Sequence, residues 1–272
     1  MCRLYLQYNI NPLTKQSKSK IIQFLETGTP KNPDGFGFAW INNTTKNWCV
    51  YKKTIMYTED KNLQTKIDKI TNSNIVISHI RSNLHPDFLK NNLYNTHPFL
   101  YENQIFCHNG STRKDEDFST TNTIKERIDS KYIPFIQGST TSELFFYLFL
   151  TIKDKIIASK KYKLYEDVLC ETVQEMFYCL QNDKLKILAN LIFADEHYIV
   201  VTKYKTCNLI TEPIKSLFYE KTEEGLCVTS IPIFPNMREF PDNTIMIINI
   251  KTGEIQETPI VCFMMYPTNI IS

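Results

Sequence analysis

The sequence predicts an α+β fold, with strand-rich blocks on either side of two helices in the middle of the chain. The strand-like runs do not alternate with helices as repeated βαβ units, which argues against a parallel sheet. The run Leu144–Leu150 is apolar nearly all round, so the helix that carries it needs cover on several sides. Apolar residues make up 42% and aromatics 12% of 272 residues, enough to supply such a core. No internal repeat or low-complexity linker divides the chain, and residues 1–272 are read as a single domain.

Residues 2–8 read as a strand, with Leu4 and Leu6 on the face of Cys2. Asn11–Lys20 is polar and reads as a loop, followed by a short helix over Ile21–Glu26. Gly28–Gly35 is turn-rich. Phe36–Ile41 and Trp48–Lys52 read as strands joined by the turn Asn42–Asn47, and Asp60–Ile70 as an amphipathic helix. Ile75–Arg81 is an apolar strand with His79 and Arg81 on one face, and a loop follows to Pro98. Gln104–His108 reads as a strand that ends at Asn109-Gly110, and a small helix is placed near Ile124–Ser130. Thr140 and Glu143 fit a capping box for the apolar helix, and a second helix spans Asp167–Leu180. Strand-like runs follow at Leu185–Phe193, His197–Lys203, Leu226–Thr229, Thr244–Asn249 and Pro259–Met264.

The net charge of +2 with 22% charged residues argues against intrinsic disorder and against a strong nucleic-acid binder. The patch Lys15–Lys20 reads as a solvated loop. No apolar run is long enough for a membrane span, and the first residues lack the pattern of a signal peptide. Eight cysteines without a CxxC pair fit buried thiols in a reducing compartment, so a cytoplasmic location is expected. No cofactor or metal is expected. The five histidines and eight cysteines match none of the tight zinc-ligand spacings, and neighbours Cys107 and His108 face opposite ways on a strand.

Short segments then suggest chemistry. Removal of Met1 would leave Cys2 with a thiol and an α-amine, groups of ordinary pKa about 8.5 and 7.8. One residue would supply a nucleophile and its adjacent base. Asn109 and Gly110 can aim an amide and a backbone N–H at one spot, as an oxyanion hole requires. Asn-Gly is equally a common hairpin turn. Arg81, at the end of an apolar strand, suits a bidentate clamp on a carboxylate. The alternative is a guanidinium that reaches solvent. His79 is either a core histidine or a support for the site. His97 precedes Pro98, whose ring restricts its backbone, so it can also shape a rigid loop. Gly35 and Gly37 allow either close backbone approach to a ligand or a tight turn into a strand.

Taken in order, Met1-Cys-Arg3, Asp34-Gly-Phe-Gly37, His79-Ile-Arg81, Asn95-Thr-His-Pro-Phe99 and His108-Asn-Gly110 resemble the class II glutamine amidotransferases, in particular their compact stand-alone subgroup. Val201–Tyr204 and Val228–Pro232 resemble later family segments more weakly. The resemblance implies a four-layer αββα N-terminal-nucleophile hydrolase sandwich with two mainly antiparallel sheets. It implies Cys2 as nucleophile, its α-amine as proton shuttle, and Asn109 and Gly110 as the oxyanion hole. Arg81 would hold the substrate α-carboxylate, Gly35 would shape the pocket wall, and His97 and Thr141 join the substrate-binding candidates. The implied reaction is hydrolysis of glutamine or a γ-glutamyl amide through a γ-glutamyl thioester. No synthetase-like second domain is visible, so transfer of the ammonia would need a separate protein partner, whereas a stand-alone hydrolase needs none.

The sequence departs from the family pattern at Thr140-Thr-Ser-Glu143, where the usual segment is Thr-Asp-Ser-Glu. Thr141 stands where an aspartate normally receives the substrate α-ammonium. Loss of a charge-assisted hydrogen bond costs about 1.5–3 kcal/mol, or roughly one to two decades in binding free glutamine. Ile231 likewise replaces an expected glutamate. The alternative function is therefore a catalytically silent binding or regulatory subunit that keeps the fold.

Overall fold

The computed structural model describes residues 2–28, 32–70, 72–82, 92–113, 119–206 and 216–261. In chain order the first half runs β1 (Arg3–Asn9), α1 (Lys15–Glu26), β2 (Phe36–Ile41), β3 (Trp48–Lys53), α2 (Leu63–Asp68), β4 (Ile75–Ile80), β5 (Phe99–Tyr101) and β6 (Gln104–Arg113). Three helices follow: α3 (Ser119–Lys125), α4 (Thr141–Ser159) and α5 (Tyr165–Asn182). The chain then forms β7 (Lys186–Ala194), β8 (Tyr198–Lys205), β9 (Phe218–Thr222), β10 (Gly225–Thr229), β11 (Arg238–Glu239), β12 (Thr244–Asn249) and β13 (Ile255–Pro259).

These strands build two sheets. One has seven strands in the order β11-β9-β10-β1-β4-β2-β3, and the other six in the order β13-β12-β8-β7-β6-β5. The paired neighbours are antiparallel throughout. Because successive side chains alternate, each central strand serves two layers. Leu4 and Leu6 of β1 meet Cys107, Ile192 and Val201 between the sheets. Tyr5 faces the other way, against Phe24 of α1. On the far side, Phe106 and Phe193 of the second sheet pack against Phe146 and Phe149 of α4. The result is the four-layer αββα sandwich of the N-terminal-nucleophile hydrolases, with α1 and α2 outside one sheet and α4 and α5 outside the other.

The start of α4 follows its local signals. Thr140 accepts from the backbone N–H of Glu143 at 3.4 Å. Residues Leu144 to Thr151 are all buried, since sheet, α5, α3 and Tyr132 surround the helix. Full burial of each large apolar side chain here contributes about 1.5–3 kcal/mol relative to exposure.

Several local expectations are corrected. The loop expected over Asn11–Lys20 is helical from Lys15, capped by Thr14 Oγ1, which accepts from Ser17 N at 3.2 Å. The N-terminal part of α1 buries Ser17, a polar residue, so apolar periodicity begins only at Ile21. The strand through Gln104–His108 does not stop at Asn109-Gly110. It continues to Arg113, because β7 pairs with it residue by residue from Ile105↔Ala194 to Arg113↔Lys186. The small helix lies at Ser119–Lys125, earlier than expected. The last strand is Ile255–Pro259, paired with β12, and residues 262–264 of the expected run lie outside the described residues. Short strands β5, β9 and β11 had no clear alternating pattern. They form by pairing with longer neighbours.

Among the described residues no helix is long and apolar enough to cross a membrane. Cys2, Cys49, Cys107, Cys170, Cys179 and Cys227 are free thiols. Among the described residues no group of His, Cys, Asp and Glu is arranged to hold a metal ion.

Candidate active site

Cys2 directly precedes β1, where the inter-sheet layer meets the surface. Register places Arg3 opposite Ile80, so Cys2 lies beside the exit of β4 toward Arg81 and Ser82. The backbone N–H of Ser82 donates to Cys2 Sγ at 3.3 Å, and Sγ lies 3.4 Å from Ser82 O. The thiol is half-buried and held against that turn.

Asn109 comes from the other sheet. It is 3% exposed, and its Nδ2 donates to the backbone oxygen of Cys2 at 3.1 Å. A carboxamide nitrogen carries two N–H bonds, so one remains for another acceptor. Gly110 continues the strand. A Cβ there would collide with Leu188 O and with the His108 ring, so the position admits no side chain.

Arg81 is 5% exposed. Its backbone N–H donates to Gly35 O at 2.8 Å, while one terminal nitrogen of its guanidinium is buried without a partner. Burial lowers its pKa, and the charges of Cys2 and Asp34 oppose that shift. A desolvated cation with an unused donor favours an incoming carboxylate. Arg3 also borders Cys2. Its Nε is buried and unpartnered, and burial lowers its pKa against the opposing influence of Cys2. Arg3 belonged to the Met-Cys-Arg segment but carried no expected role; an arginine next to a candidate nucleophile was the available signal.

Glycines let the chain close around this corner. Gly35 has φ +124°, a conformation that L side chains rarely adopt, and it presents its carbonyl to Arg81. At Gly37 a Cβ would collide with His97 O, so here the close backbone approach is made by the chain's own His97–Pro98 segment.

His97 is 5% exposed and lies between two rings, 4.1 Å from His79 and 4.4 Å from Phe99. Neither of its ring nitrogens has a partner. Burial holds its pKa well below the ordinary histidine value, reinforced by His79, His108, Lys52 and Arg81.

Thr141 opens α4 and is half-buried. The nearest acid in that turn, Glu143, is 4% exposed and accepts from Gln137 N at 3.0 Å and Gly138 N at 2.7 Å. It thus reaches further back than a capping box requires and holds the preceding loop. Burial raises its pKa, and the two backbone N–H groups pull it down. Asn95 clamps the same loop, accepting from Ser139 N at 2.8 Å and donating to Ser139 Oγ at 3.1 Å. Nothing in the Asn95–Phe99 segment alone pointed to that clamp. Thr141 is linked to β6 through its neighbour Ser142, whose hydroxyl lies 2.9 Å from His108 Nδ1. Adjacent residues of β6 therefore serve both sides: Asn109 meets Cys2 between the sheets, and His108 meets the start of α4.

The family model for class-II glutamine amidotransferases matches residues 1–216. The probable glutamine amidotransferase DUG3 of Saccharomyces cerevisiae is 33% identical over 136 residues, which cover 48% of this chain and 36% of that protein. The match thus spans about a third of that relative's length. A protein described as a glutamine aminotransferase class-II domain protein from Silicibacter pomeroyi superposes with TM-score 0.63 over 95% of this chain and 99% of its own, at 18% identity. Glutamine phosphoribosylpyrophosphate amidotransferase from B. subtilis superposes with TM-score 0.62 at 13% identity, over 96% of this chain and 49% of its own. These solved structures share the fold. With the family match over most of its length, the chain belongs to the class-II glutamine amidotransferases.

Proposed function

We propose that this protein hydrolyses the γ-amide of glutamine or of a related γ-glutamyl compound, with Cys2 as nucleophile. The α-amine exposed by loss of Met1 takes the thiol proton, and sulfur attacks the γ-carbonyl carbon. The negative oxygen is met by the free N–H of the Asn109 amide and by Gly110 N–H. Collapse of the tetrahedral adduct breaks the C–N bond, and the leaving nitrogen takes the proton from the α-ammonium. Water then attacks the thioester with the α-amine as base, releasing a γ-carboxylate and restoring the thiol. Arg81 holds the α-carboxylate of the γ-glutamyl group, and Gly35 fixes Arg81 through its backbone. His97 and Thr141 act from the surrounding wall.

The observation that carries this reading is the 3.1 Å contact from Asn109 Nδ2 to the Cys2 carbonyl oxygen, which brings the amide of one sheet to the first residue of the other. The test is release of ammonia or amine from glutamine and a panel of γ-glutamyl amides, using protein shown by mass spectrometry to start at Cys2. Turnover of at least one member is expected. No turnover of any member would overturn the proposal.

One observation favours a second reading, a silent regulatory subunit. Thr141 brings no carboxylate to the start of α4, and Glu143 is occupied by Gln137 and Gly138. A glutamine-mimicking electrophile separates the two. Covalent capture at Cys2 supports the hydrolase, and failure to react supports the silent subunit. If hydrolysis holds, the ammonia either leaves to solvent or passes to a separate acceptor protein.

A further inference from the structure

The contact between α4 and the strand that carries Asn109 and Gly110 is built around one buried ring. His108 is 3% exposed, and its side chain leaves β6 toward α4. The imidazole leans along the strand into the space that a side chain at Gly110 would need. A Cβ there would collide with His108 Nε2 and lie 2.8 Å from Cε1. The ring therefore limits how far the Gly110 backbone can move toward α4.

Two residues of α4 hold the ring from the other side. Ser142 and Phe145 are three apart and so share a helix face. Phe145 is fully buried, and its ring centroid lies 5.1 Å from that of His108. That contact is close packing. The directional contact is the Ser142 hydroxyl, 2.9 Å from His108 Nδ1. Rotation of a histidine ring about its Cβ–Cγ bond is a soft torsion, so the hydrogen bond sets the plane of the ring over Gly110.

The helix start is secured without the Ser142 side chain. Thr140 Oγ1 accepts from Glu143 N, and the Glu143 carboxylate holds Gln137 and Gly138. We propose that Ser142 is a positioning residue for the oxyanion donors and that it acts through His108. The helix start fixes the imidazole, and the imidazole fixes the backbone that presents Gly110 N–H and carries Asn109. This inference rests on the oxyanion role proposed above for Asn109 and Gly110. It joins those donors and the first turn of α4, where Thr141 stands, into one unit.

The test compares Ser142→Ala, Ser142→Thr and His108→Phe with the parent, all starting at Cys2. One readout is kcat and KM for an amide that the parent hydrolyses. The other is the backbone amide NMR signal of Gly110. Alanine suits the helix, so the change is confined to the lost hydroxyl. In Ser142→Ala, kcat is expected to fall about tenfold as the donors are misplaced, with KM changed by less than about twofold. The Gly110 signal should shift. Threonine restores the hydroxyl and should return both readouts to parental values. His108→Phe keeps a ring over Gly110 but offers Ser142 no nitrogen, so Ser142→Ala should cost nothing further in that background. Parental kcat in Ser142→Ala, a rise in KM alone, additive losses in the double variant or an unmoved Gly110 signal would overturn the proposal. A parent without turnover strikes the hydrolase reading, and the Gly110 signal then decides this one by itself.

Discussion

Asn109 donates from its side-chain amide to the backbone carbonyl of Cys2, joining residues 107 apart in sequence and one sheet to the other. Neither residue is brought there by its own neighbours in the chain. β6 places Asn109 through its pairing with β7, and β1 places Cys2 through its pairing with β4. Substitution Asn109→Ala is expected to lower kcat by about 10²–10³-fold, the usual effect of losing one oxyanion donor. Circular dichroism should remain native. Steady-state ammonia release gives the comparison, and an unchanged kcat would remove Asn109 from the mechanism.

Arg81 separates activity from stability. Its guanidinium is desolvated and has a terminal nitrogen without a partner. Arg81→Met is expected to lower kcat/KM for glutamine by roughly ten- to a hundredfold, the value of a charge-assisted hydrogen bond of about 1.5–3 kcal/mol. Tm should stay level or rise, because a buried charge has been replaced by an apolar chain. Joint loss of activity and Tm would mean that Arg81 supports the fold instead.

At the start of α4 the expected gain comes from adding a charge. Thr141→Asp should lower KM for free glutamine by about one to two decades, as a new carboxylate receives the α-ammonium. Glu143 cannot supply that charge while it binds Gln137 and Gly138. Kinetics with glutamine measure the effect, and an equal or higher KM would contradict the role given to Thr141.

His97 predicts a pH dependence with a definite sign. Burial lowers its pKa well below 6.5, with His79, His108, Lys52 and Arg81 adding positive or protonatable neighbours. The unfolded chain therefore binds a proton at higher pH than the folded one. Stability from this group is complete above about pH 6.5 and is lost as pH falls from there toward the depressed folded value. The slope in that window approaches about 1.4 kcal/mol per pH unit. His97→Phe keeps the ring between His79 and Phe99 and removes the titration. Urea unfolding at pH 5 and pH 7 should differ less in the variant than in the parent.

Gly37→Ala tests the packing that brings the His97–Pro98 segment over β2. The new methyl would meet His97 O, with Pro98 Cδ at 3.1 Å. Overpacking of this kind costs about 1–3 kcal/mol. Chemical denaturation would show the loss as a lower midpoint, and an unchanged midpoint would mean that the segment moves aside freely.

Much of the fold was legible because its signals are local or strongly periodic. Thr140 and Glu143 mark the start of α4, and the apolar run behind them requires cover on several sides. Alternation in residues 2–8 and the apolar run through Ile75–Ile80 were sufficient for two central strands. Polar positions hid other elements. Ser17 is buried in α1 without contributing to an apolar period. Asn109-Gly110 carries a turn signal, yet it lies within a strand because β7 supplies a partner on both sides of it.

By itself the sequence determined the chemistry on offer: a cysteine at position 2, an arginine after an apolar strand, an Asn-Gly pair, and a helix start without an aspartate. Those are properties of residue types and short spacings. Tertiary structure decided which groups meet. Cross-strand register is a long-range pairing, and it alone puts Asn109 on Cys2, folds Gly37 under His97 and leaves Arg81 buried with a donor unused. Burial and hydrogen-bond satisfaction depend on neighbours distant in sequence, so no local pattern could specify them.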